Sequence, residues 1–346
     1  MGRCFVRGRD TQRLSRLANA TYDLRVKLRS LIALVAAIED GSLRAAARRL
    51  GISQPAVTKL VRELERDMGV PLLQRSTGGV FATAQGKVLY EHARRAMREL
   101  DDAKEQIDQL SGRMIGELSI AAVPLAVVVL IPETLRTFSR EYPDIQVRIR
   151  EELYIAQLAL LREGVVDMLI GPIPDGVPAG EFEVEELIPI EMAVVVGKRN
   201  PLARARSLKQ LAGAQWIFTS PTGKASYAHR LFEQNGLVPP APVAMVNSTL
   251  VLTTLISEGD YVGLMPMPLA MHSAAAAFMT VVPIKEGHLA MTVGVIVRRG
   301  ASLKPAVRHF MAHLHRAAQQ VRTSQGTAAQ ASSRNPSAPA TLRTRG

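Results

Sequence analysis

Along residues 24–83 the apolar positions fall at helical spacing in three short bursts. Leu28, Leu31, Ile32, Val35 and Ile38 predict a first helix that stops at Gly41. Ser42 can cap a second helix with Leu43, Ala46, Ala47 and Leu50 facing inward. After the break at Gly51, Ser53 can cap a third, with Val57, Leu60, Val61 and Leu64 on its inner face. Leu72 to Arg75, the turn Ser76-Thr77-Gly78-Gly79, and Val80 to Ala82 then predict a small hairpin, or wing. Thr83 caps a long helix, free of proline and of any glycine after Gly86, that runs to about Ser111. On it Leu89, Ala93, Ala96, Leu100, Ala103, Ile107 and Leu110 step by alternating fours and threes. That is an a/d stripe, narrow enough for a coiled-coil seam.

Beyond Gly112 to Gly116, read as the hinge into a body, strand-like and helix-like segments alternate. Leu118–Ala122, a helix near Leu125–Tyr142, Val147–Glu151, a helix near Ala156–Glu163 and Met168–Gly171 give a βαβαβ rhythm and predict a mostly parallel sheet. A second set comprises Met192–Gly197, Trp216–Thr219, a helix over Ser226–Asn235, Val243–Val246 and a helix over Thr249–Glu258. Tyr261–Met265 and Thr292–Arg298 read as strands, and Pro305–Ala318 as a last helix. Residues 1–23 show no sustained periodicity and are expected to be a disordered basic extension. Residues 317–346, rich in Ser, Thr, Ala, Gln, Pro and Arg, are expected to be a disordered tail.

Charge sharpens the division. The net charge is +12, and residues 24–83 hold ten basic against five acidic side chains, while residues 117–316 balance at eighteen each. A basic head on a neutral body suits a polyanion-binding module joined to a sensor or an enzyme. Composition alone leaves DNA, RNA and an anionic membrane open as the polyanion. Cys4 is the single cysteine, which excludes a disulfide framework and fits a reducing cytoplasm. The longest apolar run, Leu118 to Ile131, is too short to span a bilayer and contains Ser119 and Pro124. No membrane partner is expected.

The head carries the sharpest chemistry. A helix-turn-helix needs two short helices meeting at a tight turn, the second presenting polar groups to the major groove. Ala45-Ala46-Ala47-Arg48-Arg49-Leu50-Gly51-Ile52-Ser53-Gln54-Pro55-Ala56-Val57-Thr58 supplies small residues for close approach and an outward face of Gln54, Thr58, Lys59 and Arg62. A solvated three-helix bundle with one polar face is the plainer alternative.

These residues are where a family resemblance becomes plain. Gly41-Ser42-Leu43-Arg44-Ala45-Ala46, Ser53-Gln54-Pro55-Ala56-Val57-Thr58, Leu64-Glu65, Gly69-Val70-Pro71-Leu72-Leu73-Gln74-Arg75, Gly79-Val80 and Thr83-Ala84-Gln85-Gly86 resemble the DNA-binding domain of LysR-type transcriptional regulators. The likeness continues through Gly116-Glu117-Leu118-Ser119-Ile120, Tyr142-Pro143-Asp144, Leu161-Arg162-Glu163-Gly164 and Gly263-Leu264-Met265-Pro266, over roughly residues 24–316. The body's pattern is nearest the subgroup that includes regulators of toluenesulfonate degradation and of sugar-binding proteins.

The resemblance implies an all-α winged helix-turn-helix at 24–83, a dimerising linker helix at 84–112 and a two-lobed α/β effector-binding domain, like a periplasmic binding protein, at 117–316. Lobe one is expected at 117–188 and 268–316, and lobe two at 189–267. By the same resemblance Ser53, Gln54, Pro55, Thr58, Lys59, Arg62 and Arg75 meet promoter DNA. Thr77-Gly78 stands where many relatives carry a basic wing residue. Three loops are expected at the cleft: Val123, Pro124 and Leu125; Ser220, Pro221 and Thr222; Asn247 and Ser248, with Tyr154 nearby. Each Ser or Thr among them could equally be an ordinary cap or turn residue. Amides at helix starts and the hydroxyls suit a carboxylate or sulfonate effector, with Val123 and Leu125 making the pocket apolar.

The implied protein is a cytoplasmic homodimer, or homotetramer, without cofactor, metal or catalytic residues. Two rivals were weighed. An enzyme with a nucleic-acid-binding head would need paired titratable groups in the cleft, and the three loops bring only Lys224 nearby. A ligand-free DNA-bending protein would not need a body of repeated strand–helix units. His309 and His313, four apart on the last helix, read as solvated helix residues rather than metal ligands.

Overall fold

The computed structural model describes residues 27–76, 79–151, 157–174, 176–219, 226–286, 289–300 and 303–333. They fall into two compact units that part between Ala103 and Lys104, inside the long helix.

The first unit opens with helices α1 (Leu28–Glu39), α2 (Leu43–Leu50) and α3 (Gln54–Met68). Ser42 and Ser53 cap α2 and α3, each accepting from the backbone N–H three residues on. Gly51 and Gly69 end them in the left-handed conformation that costs glycine least. Alanines let the helices approach: Ala33, Ala36, Ala37, Ala46 and Ala47 pack with Leu43, Val57 and Val61 into one core. The hairpin is β1 (Leu73–Ser76) against β2 (Gly79–Ala82), antiparallel. Glu65 fixes where it starts, its carboxylate accepting from the N–H groups of Leu72 and Leu73 at 2.9 and 3.1 Å. Helix α4 (Ala84–Leu110) follows directly, capped by Thr83, whose hydroxyl accepts from the Gly86 N–H. Gly86 is obligatory, because a Cβ there would stand 1.9 Å from the Leu72 carbonyl oxygen.

Among the described residues the second unit is built on nine strands: β3 (Gly116–Ala122), β4 (Ile145–Glu151), β5 (Met168–Pro172), β6 (Phe182–Gly197), β7 (Gln215–Phe218), β8 (Pro242–Met245), β9 (Tyr261–Pro266), β10 (Met279–Val281) and β11 (Ala290–Arg298). Their order is β4-β3-β5-β11-β6-β9-β7-β8, with β10 beside β6. Pairing is parallel for β3 with β4 and β5, and for β7 with β8 and β9. The expected mostly parallel sheet is thus corrected to a mixed one, since β6 and β11 run antiparallel to each other and to their neighbours.

β6 belongs to two sub-sheets. Its first half pairs with β11 and its second half with β9 and β10. β11 pairs with β6 as far as Glu191 and β9 takes over at Met192; within the β11 stretch Pro189 has no N–H for the ladder and a register shift falls at Val293/Gly294. Gly294 lies so close to β6 that a Cβ would stand 2.6 Å from the Glu185 carbonyl oxygen. Because β10 pairs with Val195–Gly197, the second sub-sheet extends past the expected return to lobe one at residue 268.

Two other expectations change. The helix near Leu125–Tyr142 is two, α5 (Pro124–Val129) and α6 (Ile131–Glu141), interrupted at Leu130 just before Pro132. After α7 (Gln157–Arg162), α8 (Leu208–Leu211), α9 (Tyr227–Gln234), α10 (Thr249–Glu258), α11 (Met267–Met271) and α12 (Ser273–Ala276), the last helix runs from Pro305 to Ser333, so residues 317–333 are helical rather than a disordered tail. Ala317 and Ala318 are buried, and the alanine and glutamine that follow are good helix formers. Residues 1–26 and 334–346 lie outside the described residues.

This last helix seats His313 in the body. The ring is 4% exposed, with Nδ1 2.8 Å from the Thr137 hydroxyl and Nε2 3.2 Å from the Glu141 carboxylate. Burial, then the Arg316 guanidinium, pulls its pKa below the ordinary 6.5, Glu141 opposing. The folded chain therefore resists a proton that the unfolded chain accepts. Stability from this site is full above about pH 6.5 and is lost as pH falls below it toward the folded pKa. Between about pH 7.5 and about pH 5.5 the wild type should lose more Tm than His313→Gln, which can still hydrogen-bond Thr137. Equal losses in thermal melts would remove His313 from the acid response.

Candidate functional site: the nucleic-acid interface and the ligand loops

At 100° per residue, Gln54, Pro55, Thr58, Lys59 and Arg62 share one side of α3, within about 140° of arc. Val57, Leu60, Val61 and Leu64 take the other side. Burial follows this division: Val57, Val61 and Leu64 are buried, Thr58 is half-buried, and Gln54, Pro55, Lys59 and Arg62 are exposed. Ser53 is exposed but its hydroxyl is committed to the cap. Lys59 lies 4.0 Å from Glu63, a loose surface pair that leaves its ammonium open to a phosphate. Pro55 in the first turn costs no hydrogen bond there, and its rigid ring sits on the face that presents Gln54.

Arg75 lies in β1 opposite Val80; its side chain is outside the described residues, as are Thr77 and Gly78. Two further exposed cations, Arg44 and Arg48, sit one turn apart on α2. Neighbouring Arg49 is tied to Glu39 and Asp40 instead. Glu39 also accepts from Tyr90 and Arg94 of α4, which fastens the long helix to α1.

In the body, the expected ligand loops leave the carboxyl ends of parallel strands, where open α/β sheets bind ligands. Val123 follows β3 and Asn247-Ser248 follows β8. Val123 and Leu125 do not line an open pocket as expected. Both side chains are buried in the main core, and a Cβ on Gly171 would come within 2.9 Å of Val123. Pro124 is half-buried and Asn247 exposed. Tyr154, Ser220, Pro221 and Thr222 lie outside the described residues. Ser248 caps helix α10 (Thr249–Glu258), accepting from Val251 N–H at 3.4 Å.

Residues 28–87 match the model of the bacterial regulatory helix-turn-helix protein, lysR family, and residues 111–319 match that of the LysR substrate binding domain. The chain belongs to the LysR family. It is a DNA-binding transcriptional regulator with an effector-binding domain, not an enzyme. The transcriptional regulator GbpR of Azospirillum brasilense is 30% identical over 305 residues, covering 87% of this chain and 89% of that relative. TfdT of Cupriavidus pinatubonensis is 31% identical over 209 residues, covering 60% of this chain and 90% of its own length. Among solved structures, full-length CbnR complexed with its target DNA superposes at a TM-score of 0.66 over 84% of this chain and 99% of CbnR. At 23% identity that match shows the fold, a helix-turn-helix head and a two-lobed α/β body. Among the described residues no helix is long and apolar enough to cross a membrane.

Because its hydroxyl is already a helix cap, Ser248→Ala should lower stability by about 1 kcal/mol before any ligand is considered. Chemical denaturation measures this. A variant as stable as wild type would show that the hydroxyl is free for another role.

Proposed function

We propose that this LysR-family regulator reads promoter DNA with the outer face of α3 and answers to a small organic anion held in the body. The exposed run Gln54, Pro55, Thr58, Lys59 and Arg62 carries the first half. It is polar and basic and lies opposite the buried Val57, Val61 and Leu64, and Arg44 and Arg48 on α2 add cations for the flanking phosphates. CbnR, which shares the fold, is solved on its target DNA. For the second half, the support is the charge-balanced body and the loops that enter helices at strand ends. The first-turn amides of α10 suit a carboxylate or sulfonate. Val123 and Leu125, buried in the main core, hold the separate loop that follows β3. A thermal-shift screen of carboxylates, sulfonates and neutral sugars tests the ligand class; stabilisation by sugars alone would contradict the anion reading.

Gln54→Ala should weaken specific relative to non-specific binding by about 1–3 kcal/mol. A footprint of this variant with wild-type affinity and sequence preference would take Gln54 out of the interface.

The regulator works in the cytoplasm as a homodimer, or as a tetramer of two such pairs. The observation behind this is α4. Leu89 and Ala93 of its apolar stripe pack within the first unit, but Leu100, Ile107 and Leu110 are 56%, 64% and 68% exposed. A helix does not leave such a stripe in water when a second copy can cover it. Leu100→Asp should break the dimer, and light scattering at micromolar concentration reads the outcome. A wild type that is only monomeric would contradict the seam.

A further inference from the structure

The body is neutral only as a sum. Just past β6 the chain reads Lys198-Arg199-Asn200-Pro201-Leu202-Ala203-Arg204-Ala205-Arg206-Ser207-Leu208-Lys209, a stretch with five cations and no carboxylate. Packing decides where they point. Ala205, Leu208 and Leu211, three residues apart, are buried in the core around Trp216, and Leu202 packs against it. That rhythm turns Arg204, Arg206 and Lys209 the other way, and all three are exposed. Lys198 and Arg199, in the turn that leaves β6, are exposed as well. Asn200 ties that turn to the 3-10 helix Pro201–Arg204, its buried side chain accepting from the Leu202 N–H at 2.9 Å.

A second segment joins the same surface. In the loop after β10 the Lys285 N–H donates to the Arg206 carbonyl at 3.0 Å, and Glu286 accepts from the Leu208 N–H at 2.9 Å. Lys285 is exposed and brings a sixth cation. Glu286 holds backbone rather than any of the six side chains. Glu258 and Asp260, exposed where α10 ends beside Gly197, pair with none of them. Among the described residues none of the six cations has an ion-pair partner. Elsewhere in the body Arg136, Arg148, Arg162, Arg299 and Lys304 each sit against a carboxylate.

A lone small anion gains little from such a surface, because single charge pairs in water are weak. A polyanion gains more: meeting several cations at once releases its condensed counterions. Duplex DNA is the polyanion this regulator meets, and a bound head keeps the flanking duplex at high local concentration for the rest of the molecule.

We propose that this patch at the end of β6 is a second DNA contact, which takes phosphates of duplex lying outside the half-sites read by α3. It adds affinity without sequence preference. The presence of duplex rests on the regulator reading; the patch itself does not.

Full-length protein carrying Arg199→Gln, Arg204→Gln and Arg206→Gln tests it. All three positions are exposed, so thermal melts should match the wild type; Lys209→Glu with Lys285→Glu is an independent variant of the same surface. Affinity is measured against salt on a genomic fragment that the wild type footprints. One duplex is trimmed to the half-sites, and another carries about three further helical turns on each side. Wild type should bind the longer duplex about tenfold more tightly at low salt, and both variants less than about threefold. On the longer duplex the log–log salt slope of the triple variant should be shallower by about 2–3, since each lost phosphate contact removes about 0.9. The trimmed duplex should be bound alike by all three proteins.

Equal gains and equal slopes in wild type and variants would overturn the proposal, as would an equal loss on both duplexes. Polyglutamate is the control for an acidic protein partner. A triple variant that loses polyglutamate binding but keeps the wild-type slope on DNA would also overturn it. If the wild type footprints no fragment, the regulator reading fails. The same salt titration on random-sequence duplex then decides the patch: a shallower slope in the triple variant keeps it, and equal slopes sink it.

Discussion

The body depends on one backbone constraint: β6 and β11 run against every strand they border and carry the chain across the sheet. β3 with β4 and β5, and β7 with β8 and β9, are two parallel sets that share no direct pairing. Among the described residues β11, paired to β5, and the 16-residue β6, paired to β11 in its first part and to β9 in its second, join them into one sheet. Pro189 and the register shift at Val293/Gly294 both fall in the β6–β11 ladder that lies between the sets. Two parallel sets also mean two groups of strand ends, and the carboxyl ends of strands are where open α/β sheets commonly bind ligands. The neutral net charge of this region suits such a site.

The head solves a different problem with small residues. Alanines on α1 and α2 bring the backbones close enough for α3 to be held by Val57, Val61 and Leu64 while its opposite side faces solvent. Glu65 caps the first amides of the wing, and Glu39 gathers Arg49, Tyr90 and Arg94. Each of these carboxylates holds an element in place, which is why the head can spend Gln54, Lys59 and Arg62 on something outside the protein. An unpaired polar face costs nothing in water and becomes an asset only against a partner.

Much of this was legible in the sequence because the signals were local. Ser42, Ser53, Thr83 and Ser248 were each read as helix starts or neighbouring loop residues, and all four accept a first-turn N–H. The heptad stripe on α4 and the strand cores around Leu118, Met168 and Val194 are periodicities that need no tertiary context. What was not legible came from long-range pairing. The first half of β6, with Glu183, Glu185 and Glu186 exposed, looks too acidic for a strand until β11 is known to lie beside it. β10 is three residues long and exists because β6 is there to pair with it. Val123 and Leu125 were expected at the pocket because their loop is at a strand end, yet Gly171 leaves room for Val123 to turn inward. Lys304, Glu105 and Asp167 carry no motif; only the fold brings residues so distant in the chain to one point.

The central claim is that paired heads on α4 read DNA sequence through α3. A DNase footprint of the full-length protein on fragments selected from genomic DNA tests it most directly. The account predicts two protected half-sites whose centres lie about one helical turn, 10–10.5 base pairs, or a multiple of it apart. Uniform protection without sequence preference, or a single isolated half-site at saturation, would contradict it.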